Sequence, residues 1–554
     1  MPKQLSVTTD FYDNVLFSGR HFEKRHLDDL MAYCASLGAT WHEWIVDTIW
    51  TLYDEDGPVG YDLLAEACEA AHRHGMRFDA VFKPFEGALD HPAHTFPSTF
   101  PRPAEAHFLD ELGGIVDPVR PFLAEHPEMR MARLPQDAAD PGGRIAAIRL
   151  VKSDDEPSPL EPEGISVWTS AYNGGWRRCD GPLSLSESVE ERLLLPFRVQ
   201  GCRIVTLEGL DLPPDTRFVL LRCEGGRGEF VNAVERAAEL LDEQGRPIPS
   251  TPSRLRANTA LLRDRAVALD KLGLTRYGRF PEVRQRLRDR ERFLEEADGM
   301  FRFDFDACRG EVSLGSGEEV AVARGKQRHM GGVLCPAYPE VREHWLEHVR
   351  FCLERGVDGV GIRPGSHSWP FEPWAFGFND PVLERCAHPG NAAEAARANS
   401  LAYEQFLREA SAMVRGAGKE FGYHVSASFL RHVDRDPEKT GLIRNIDWEW
   451  QKWIREFADY VELRGITQLK RENALEVLDR VGLVAREAGV GLVFPGPPLR
   501  SDCEAEWFVE HSDVTAYMLY ESANFTRIND SGAFEGDPKV AERARRFMKS
   551  RIST

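Results

Sequence analysis

The feature that most constrains this chain is an alternation of short apolar runs with amphipathic helical patterns. It occurs three times before about residue 100 and five times after about residue 335. Strand and helix signals in alternation imply βα units and a parallel sheet. Near the N-terminus VLFSG, residues 15–19, reads as a strand, and HLDDLMAYCASLG as the helix after it, closed by Gly38. TWHEWIVD follows and ends at Asp47, then the helix YDLLAEACEAAHRHG and the strand RFDAVFKPFEG. After residue 335 the helix YPEVREHWLEHVRFCLERG leads into VDGVGIRP. Four more strands follow in EFGYHVSAS, DYVELRG, VGLVFPG and VTAYMLYES, and the helix DPKVAERARRFMKSR closes the series. Eight units predict an α/β fold, a (β/α)8 TIM barrel. An open doubly wound sheet is the alternative, but no strand is followed by the glycine-rich phosphate turn which that fold uses.

The gap between the third and fourth units has a different rhythm. From about residue 144 to 249 the apolar period shifts toward two, in IAAIRLVKS, ISVWTSAY, RLLLPFRV, CRIVTLEGL and RFVLLRC, with turn-rich stretches between them. That pattern predicts a β-sandwich-like insertion after strand 3. The expected organisation is residues 1–100 for the first three barrel units and 101–143 for a connecting helical segment. Residues 144–255 form the inserted module, 256–334 a helical return segment and 335–554 the remaining five units. Within the return segment, MFRFDF and GEEVAVARG read as short strands leading back to the barrel.

The charge balance removes some classes of partner. With 89 acidic against 69 basic residues the chain carries a formal charge of -20, whereas nucleic acid and anionic membranes call for a basic surface. There is no secretory h-region and no apolar run of about 18 residues that would span a bilayer, so the expectation is a cytoplasmic protein. The ten cysteines include no CxxC pair and read as buried free thiols. A homo-oligomer is compatible with all of this.

In a barrel of this kind the active site is built at the C-terminal ends of the strands. The polar residues there are Glu43 and Asp47 after strand 2, Lys83 and Glu86 after strand 3, and Arg363 and His367 after strand 4. His424 lies in strand 5, Glu462 and Arg464 end strand 6, and Glu521 and Asn524 end strand 8. Strand 7 ends in PGPPLR, without a carboxylate. Trp369, Phe371, Trp374 and Phe376 follow His367 on one loop. Aromatic faces stack on sugar rings, and charged groups hold hydroxyls or carboxylates, so this set fits an oligo- or polysaccharide. Each residue also has a structural reading. Glu462 can pair with Arg464, His424 can be a satisfied core histidine, and Asp47 can cap a helix.

The blocks YPEVREHWLEHVRFCLERGVDGVGIRPGSH and DWEWQKWIREFADYVELRG resemble the glycoside-hydrolase-like barrel proteins called glycosyl hydrolase-like family 10. ISVWTSAYNGGWRRCDGP and CRIVTLEGLDLPPDTRFVLL resemble galactose-binding-like domains. The resemblance implies a carbohydrate-active barrel. The chain departs from common glycosidase patterns at two places, with Arg363 at the end of strand 4 and FPGPP at the end of strand 7, where many such enzymes carry carboxylates.

Glycoside hydrolysis needs two carboxylates, one of them protonated. The expected assignment is Glu521 as general acid and Glu462 as base or nucleophile, with Asp47 and Glu86 as substitutes; strands 6 and 8 lie two strands apart, a spacing that reaches the inverting range while leaving the stereochemical outcome open. Lys83, Arg363, His367, Trp369, His424, Arg464 and Asn524 are the expected substrate contacts, with no metal and no cofactor. Two alternatives stay open. One is a non-catalytic carbohydrate-binding barrel. The other is a metal-dependent sugar isomerase or hydrolase using His42, Asp47, His367, His424 and Glu462.

Overall fold

The computed structural model describes residues 4–10, 23–46, 61–85, 122, 126–152, 154–158, 160–172, 177–179, 181–194, 198–223, 238–252, 319–326, 328–364, 373–427, 430, 445–466, 471–496, 511–529 and 531–552. Eight parallel strands close into a barrel in chain order: Gln4–Asp10, Trp41–Ile45, Arg77–Phe82, Gly359–Ile362, Glu420–Ser426, Tyr460–Arg464, Gly491–Gly496 and Val514–Leu519. They are barrel strands 1 to 8 below. Strand 1 pairs with strand 8, which completes the ring.

The first strand is a correction to the sequence reading. It is QLSVTTD, not VLFSG, and residues 15–19 lie outside the described residues. Its alternation is hidden because Ser6 and Thr8 are buried polar residues. The Ser6 hydroxyl donates to the Tyr517 carbonyl at 3.4 Å, and the Thr8 hydroxyl meets the Met518 sulfur. A strand lined with small hydroxyl side chains does not look apolar even where both of its faces are covered.

The helices begin where their caps allow. Asp62 accepts from the Ala65 N–H at 3.1 Å and starts Leu63–Arg73, and Asn391 accepts from Ala393 and Glu394 to start Ala392–Gly416. These side chains satisfy amide groups that the first turn leaves without partners. The large core lies between the helices and the outer face of the barrel. Among the described residues no helix is long and apolar enough to cross a membrane.

Between strands 3 and 4 lie two five-stranded antiparallel sheets. One is built on Ile165–Ser170, Phe218–Cys223 and Glu319–Arg324, the other on Ala147–Val151, Arg198–Glu208 and Ala238–Leu241. Ile148, Leu150, Val205 and Leu207 from the second sheet share one apolar cluster with Val167, Val219, Leu221 and Val322 from the first. Two sheets that bury facing sides form a sandwich, inserted after strand 3 as expected. Glu319–Arg324 corrects a detail: this GEEVAVARG segment pairs with Phe218–Cys223 inside the sandwich rather than leading back to the barrel.

Trp41, Tyr460, Val493, Ala516 and Met518 form a separate cluster. They come from strand 2 and from strands 6 to 8, so they meet across the barrel's interior. This fixes which face of each strand points inward, since side chains alternate along a strand. Glycines on strands 4 and 5 make room for them. A Cβ on Gly422 would lie 2.2 Å from the Tyr460 ring, and one on Gly361 would lie 2.8 Å from His424 Nε2. Gly422→Ala is therefore expected to destabilise the barrel by about 1–3 kcal/mol through overpacking, read as a lowered Tm. An unchanged Tm would show that the Tyr460 ring yields freely.

Candidate active site

Two residues beyond Trp41 on the inward face of strand 2 is Glu43, and two beyond Tyr460 on strand 6 is Glu462. His424, on strand 5, is the register partner of Glu462. The three side chains meet inside the barrel at 0%, 0% and 2% exposure. One donor atom from each lies within 4.8 Å of the others. His424 Nε2 is 3.8 Å from Glu43 Oε2, and Nδ1 is 3.5 Å from Glu462 Oε2. Neither contact is a hydrogen bond. Both Glu43 oxygens, both His424 nitrogens and Glu462 Oε2 are buried without a hydrogen-bond partner. Uncompensated burial of polar atoms is costly, so this concentration of them marks a place prepared for chemistry or for a ligand.

Arg464 stands one inward position above Glu462. Its Nη1 donates to Glu462 Oε1 at 2.9 Å, and its guanidinium lies 4.4 Å over the Tyr520 ring. The ion pair expected as the structural reading of Glu462 is thus present, yet it satisfies only one of the two carboxylate oxygens.

The two carboxyls hold protons differently. Burial and the facing Glu462 charge push Glu43 well above the usual carboxylate range. Burial alone would also raise Glu462, but His424, Arg464 and Arg363 outweigh it and hold its carboxyl below that range. Burial lowers His424 to about 4, so at neutral pH it is uncharged. The cations that keep Glu462 ionised there are the two arginines. Their proton affinities are thus driven apart, with the higher one on Glu43.

The other expected residues are distributed around this centre. Arg363 directly follows strand 4 and is half-buried, its backbone N–H bonded to the Phe82 carbonyl at 2.9 Å. Lys83 directly follows strand 3 and is half-buried. Glu521, just past strand 8, acts electrostatically on Arg464 and Tyr520. Among the described residues no hydrogen bond or ion pair joins it to Glu462. It is the non-glycine residue there with a left-handed backbone, at φ 57°. Such a conformation costs roughly 1–3 kcal/mol and gathers at functional sites. Asn524 donates to the Tyr520 carbonyl at 3.4 Å and closes the local turn. Asp47, Glu86, His367 and Trp369 lie outside the described residues.

Two carboxylates were under-read in the sequence. Glu43 was noted as a polar residue of strand 2 but given no role. The signal was WHEWI: all five residues are buried, so an acid there has no solvent face. Asp10 ends strand 1 on the same face as Thr8, with Oδ1 buried and unpartnered. It was missed because QLSVTTD was not read as a strand. His42, by contrast, is outside this centre. Its ring stacks on Phe78 at 5.9 Å and bonds the Thr9 hydroxyl at 2.9 Å.

Glu43, His424 and Glu462 are also of the right type to hold a divalent cation, two carboxylates and one neutral imidazole.

No family model matches this sequence, and neither does any curated protein. Among solved structures the chain is similar to the catalytic domain of a β-amylase from Paenibacillus polymyxa, at 7% identity and a TM-score of 0.36, covering 98% of each chain. It is similar to a β-galactosidase from the psychrophilic Marinomonas ef1, at 9% identity and a TM-score of 0.38, covering 99% of this chain and 59% of that one. It is also similar to a pyruvate kinase from Cryptosporidium parvum, at 10% identity and a TM-score of 0.30, covering 99% and 70%. At these scores none of the three bears on the chemistry.

Proposed function

We propose that this chain is a carbohydrate-active hydrolase that cleaves glycosidic bonds with Glu43 and Glu462. The observation that carries the reading is the buried carboxyl pair whose proton affinities are driven apart, the pattern by which acid and base roles are divided. Carbohydrate as the substrate class is supported by the sequence blocks that resemble glycoside-hydrolase-like barrels. Glu43, the carboxyl with the raised proton affinity, donates its proton to the leaving oxygen. Glu462, ionised and oriented by Arg464, attacks the anomeric carbon. One oxygen of each carboxyl lies within 4.8 Å of the other, which is compatible with the close pairing of about 5 Å used for retention. His424, neutral and facing one carboxyl with each nitrogen, can pass a proton between them. This assigns the acid to Glu43 rather than Glu521, because the raised proton affinity follows complete burial.

A second reading has its own observation. Glu43, His424 and Glu462 can each turn one unpartnered ligand atom to a common point, and a divalent cation held there would make the barrel a metal-dependent sugar isomerase or hydrolase.

The test is a panel of oligo- and polysaccharides and aryl glycosides, reading reducing ends and free chromophore. Turnover that survives a chelator and is abolished in both Glu43→Gln and Glu462→Gln is the expected result. Full activity in both variants would overturn the assignment. Activity lost to the chelator and restored by a metal ion would transfer it to the second reading.

A further inference from the structure

Two arginines stand at the upper end of the barrel interior, and they are not equivalent. Arg464 is committed on both sides, to Glu462 Oε1 at 2.9 Å and to the Tyr520 ring. Arg363 follows Gly361 by two residues at the end of strand 4, and a Cβ on Gly361 would point at His424 Nε2 from 2.8 Å. By the alternation of strand side chains Arg363 therefore belongs to the inward face. It acts electrostatically on His424, Glu462 and Tyr520. Among the described residues its guanidinium makes no hydrogen bond, ion pair or ring contact. In a chain with 89 acids against 69 bases, an uncommitted arginine is not explained by a shortage of acids. Glu462, a carboxylate on which it acts, is already paired with Arg464.

A half-buried guanidinium offers a rigid fork of five donors, matched to a planar carboxylate. Half-buried beside the Glu43–Glu462 centre, it is placed to meet an anionic group of a ligand bound there. We infer that the mouth of the barrel holds an anion subsite built on Arg363, which takes the carboxylate of an acidic sugar. The inference deepens the glycosidase reading, on which it rests, by naming its substrate class as glycans that contain uronic acids. It also gives a reason for an arginine at a strand-4 end where many glycosidase barrels place a carboxylate.

The experiment measures binding and turnover separately. Binding is read by calorimetry on the full chain carrying Glu462→Gln, with oligogalacturonate and glucuronate-bearing xylo-oligosaccharides against neutral galacto- and xylo-oligosaccharides. The expected result is a preference for an acidic series that weakens as salt is raised. Arg363→Gln should lower affinity for that series by roughly 10–100-fold, the loss expected for one charge-assisted pair, and leave neutral sugars unchanged. Arg363→Lys keeps the charge without the fork and should recover part of the loss, which separates recognition from misfolding. Equal affinity for acidic and neutral sugars, no binding of any acidic probe, or a preference unaltered by Arg363→Gln would each overturn the proposal. Wild-type turnover is scored independently. Acidic sugars bound but never cleaved would overturn the glycosidase reading and leave the subsite standing. Neutral sugars cleaved without an acidic preference would do the reverse.

Discussion

Glu462→Gln is expected to lose turnover by at least about 10³-fold and, unlike a simple active-site knockout, to lose stability as well. The first effect follows if Glu462 is the attacking carboxylate, since an amide can neither attack nor take a proton. The second follows from Arg464, a residue 9% exposed whose carboxylate partner among the described residues is Glu462. Breaking a buried pair from one side leaves an uncompensated charge and costs roughly 3–5 kcal/mol. Glutamine keeps one acceptor for the Arg464 N–H, so the low end of that range is expected. The measurement is denaturant unfolding beside the glycoside assay. Adding Arg464→Met to Glu462→Gln removes the orphan charge and should recover part of the stability with no return of activity. Coupling of this kind is what a double-mutant cycle reads for contacting residues. A single variant that keeps activity, or a double variant that regains it, would contradict the assigned role.

Glu43→Gln is expected to be equally inactive but to behave oppositely in stability. Folding raises the proton affinity of Glu43 above its ordinary value of 4.5. The stability this group contributes is therefore complete below the ordinary carboxylate range. It is lost as pH rises toward the raised folded value, by up to about 1.4 kcal/mol per pH unit. Glutamine cannot ionise and carries no such loss. The gap in Tm between variant and wild type should widen in the variant's favour from about pH 4.5 upward. For Glu462 the sign is reversed. Its lowered proton affinity stabilises the fold above the ordinary range, and that contribution is lost as pH falls. A Tm gap for Glu43→Gln that is flat with pH would show that Glu43 is ionised in the folded protein. Because the two carboxyls titrate together, each curve reports on the pair.

Much of the architecture was legible because the barrel repeats one local pattern. Barrel strands 2 to 8 announce themselves in the sequence, as do the helices that alternate with them among the described residues, and the change to a period of two marks the sandwich. Strand 1 was not legible, because its inward side chains are Ser6 and Thr8 and one of its two neighbours is strand 8, from the far end of the chain. The same logic divides the site. Glu462 and Arg464 share a face of one strand, two residues apart, and YVELR shows that pair directly. That Glu43 on strand 2 meets Glu462 on strand 6 depends on how the barrel closes. A single sequence has no local signal for it. Gly361 and Gly422 are a further example. In the sequence they look like weak points of two strands, and in the fold they are the space that the His424 and Tyr460 rings occupy.

The central claim is that the Glu43–Glu462 pair holds one proton at neutral pH and that Glu43 carries it. Infrared difference spectroscopy of wild type against Glu43→Gln at pH 7 reads this directly, on protein stripped of metal ions. A protonated-carboxyl band present in the wild type and missing from the variant is the expected result. Its absence from both, with only carboxylate bands, would mean that both acids are ionised in the fold. The acid–base assignment would then fail, and a cation shared by Glu43, His424 and Glu462 would be the account to pursue.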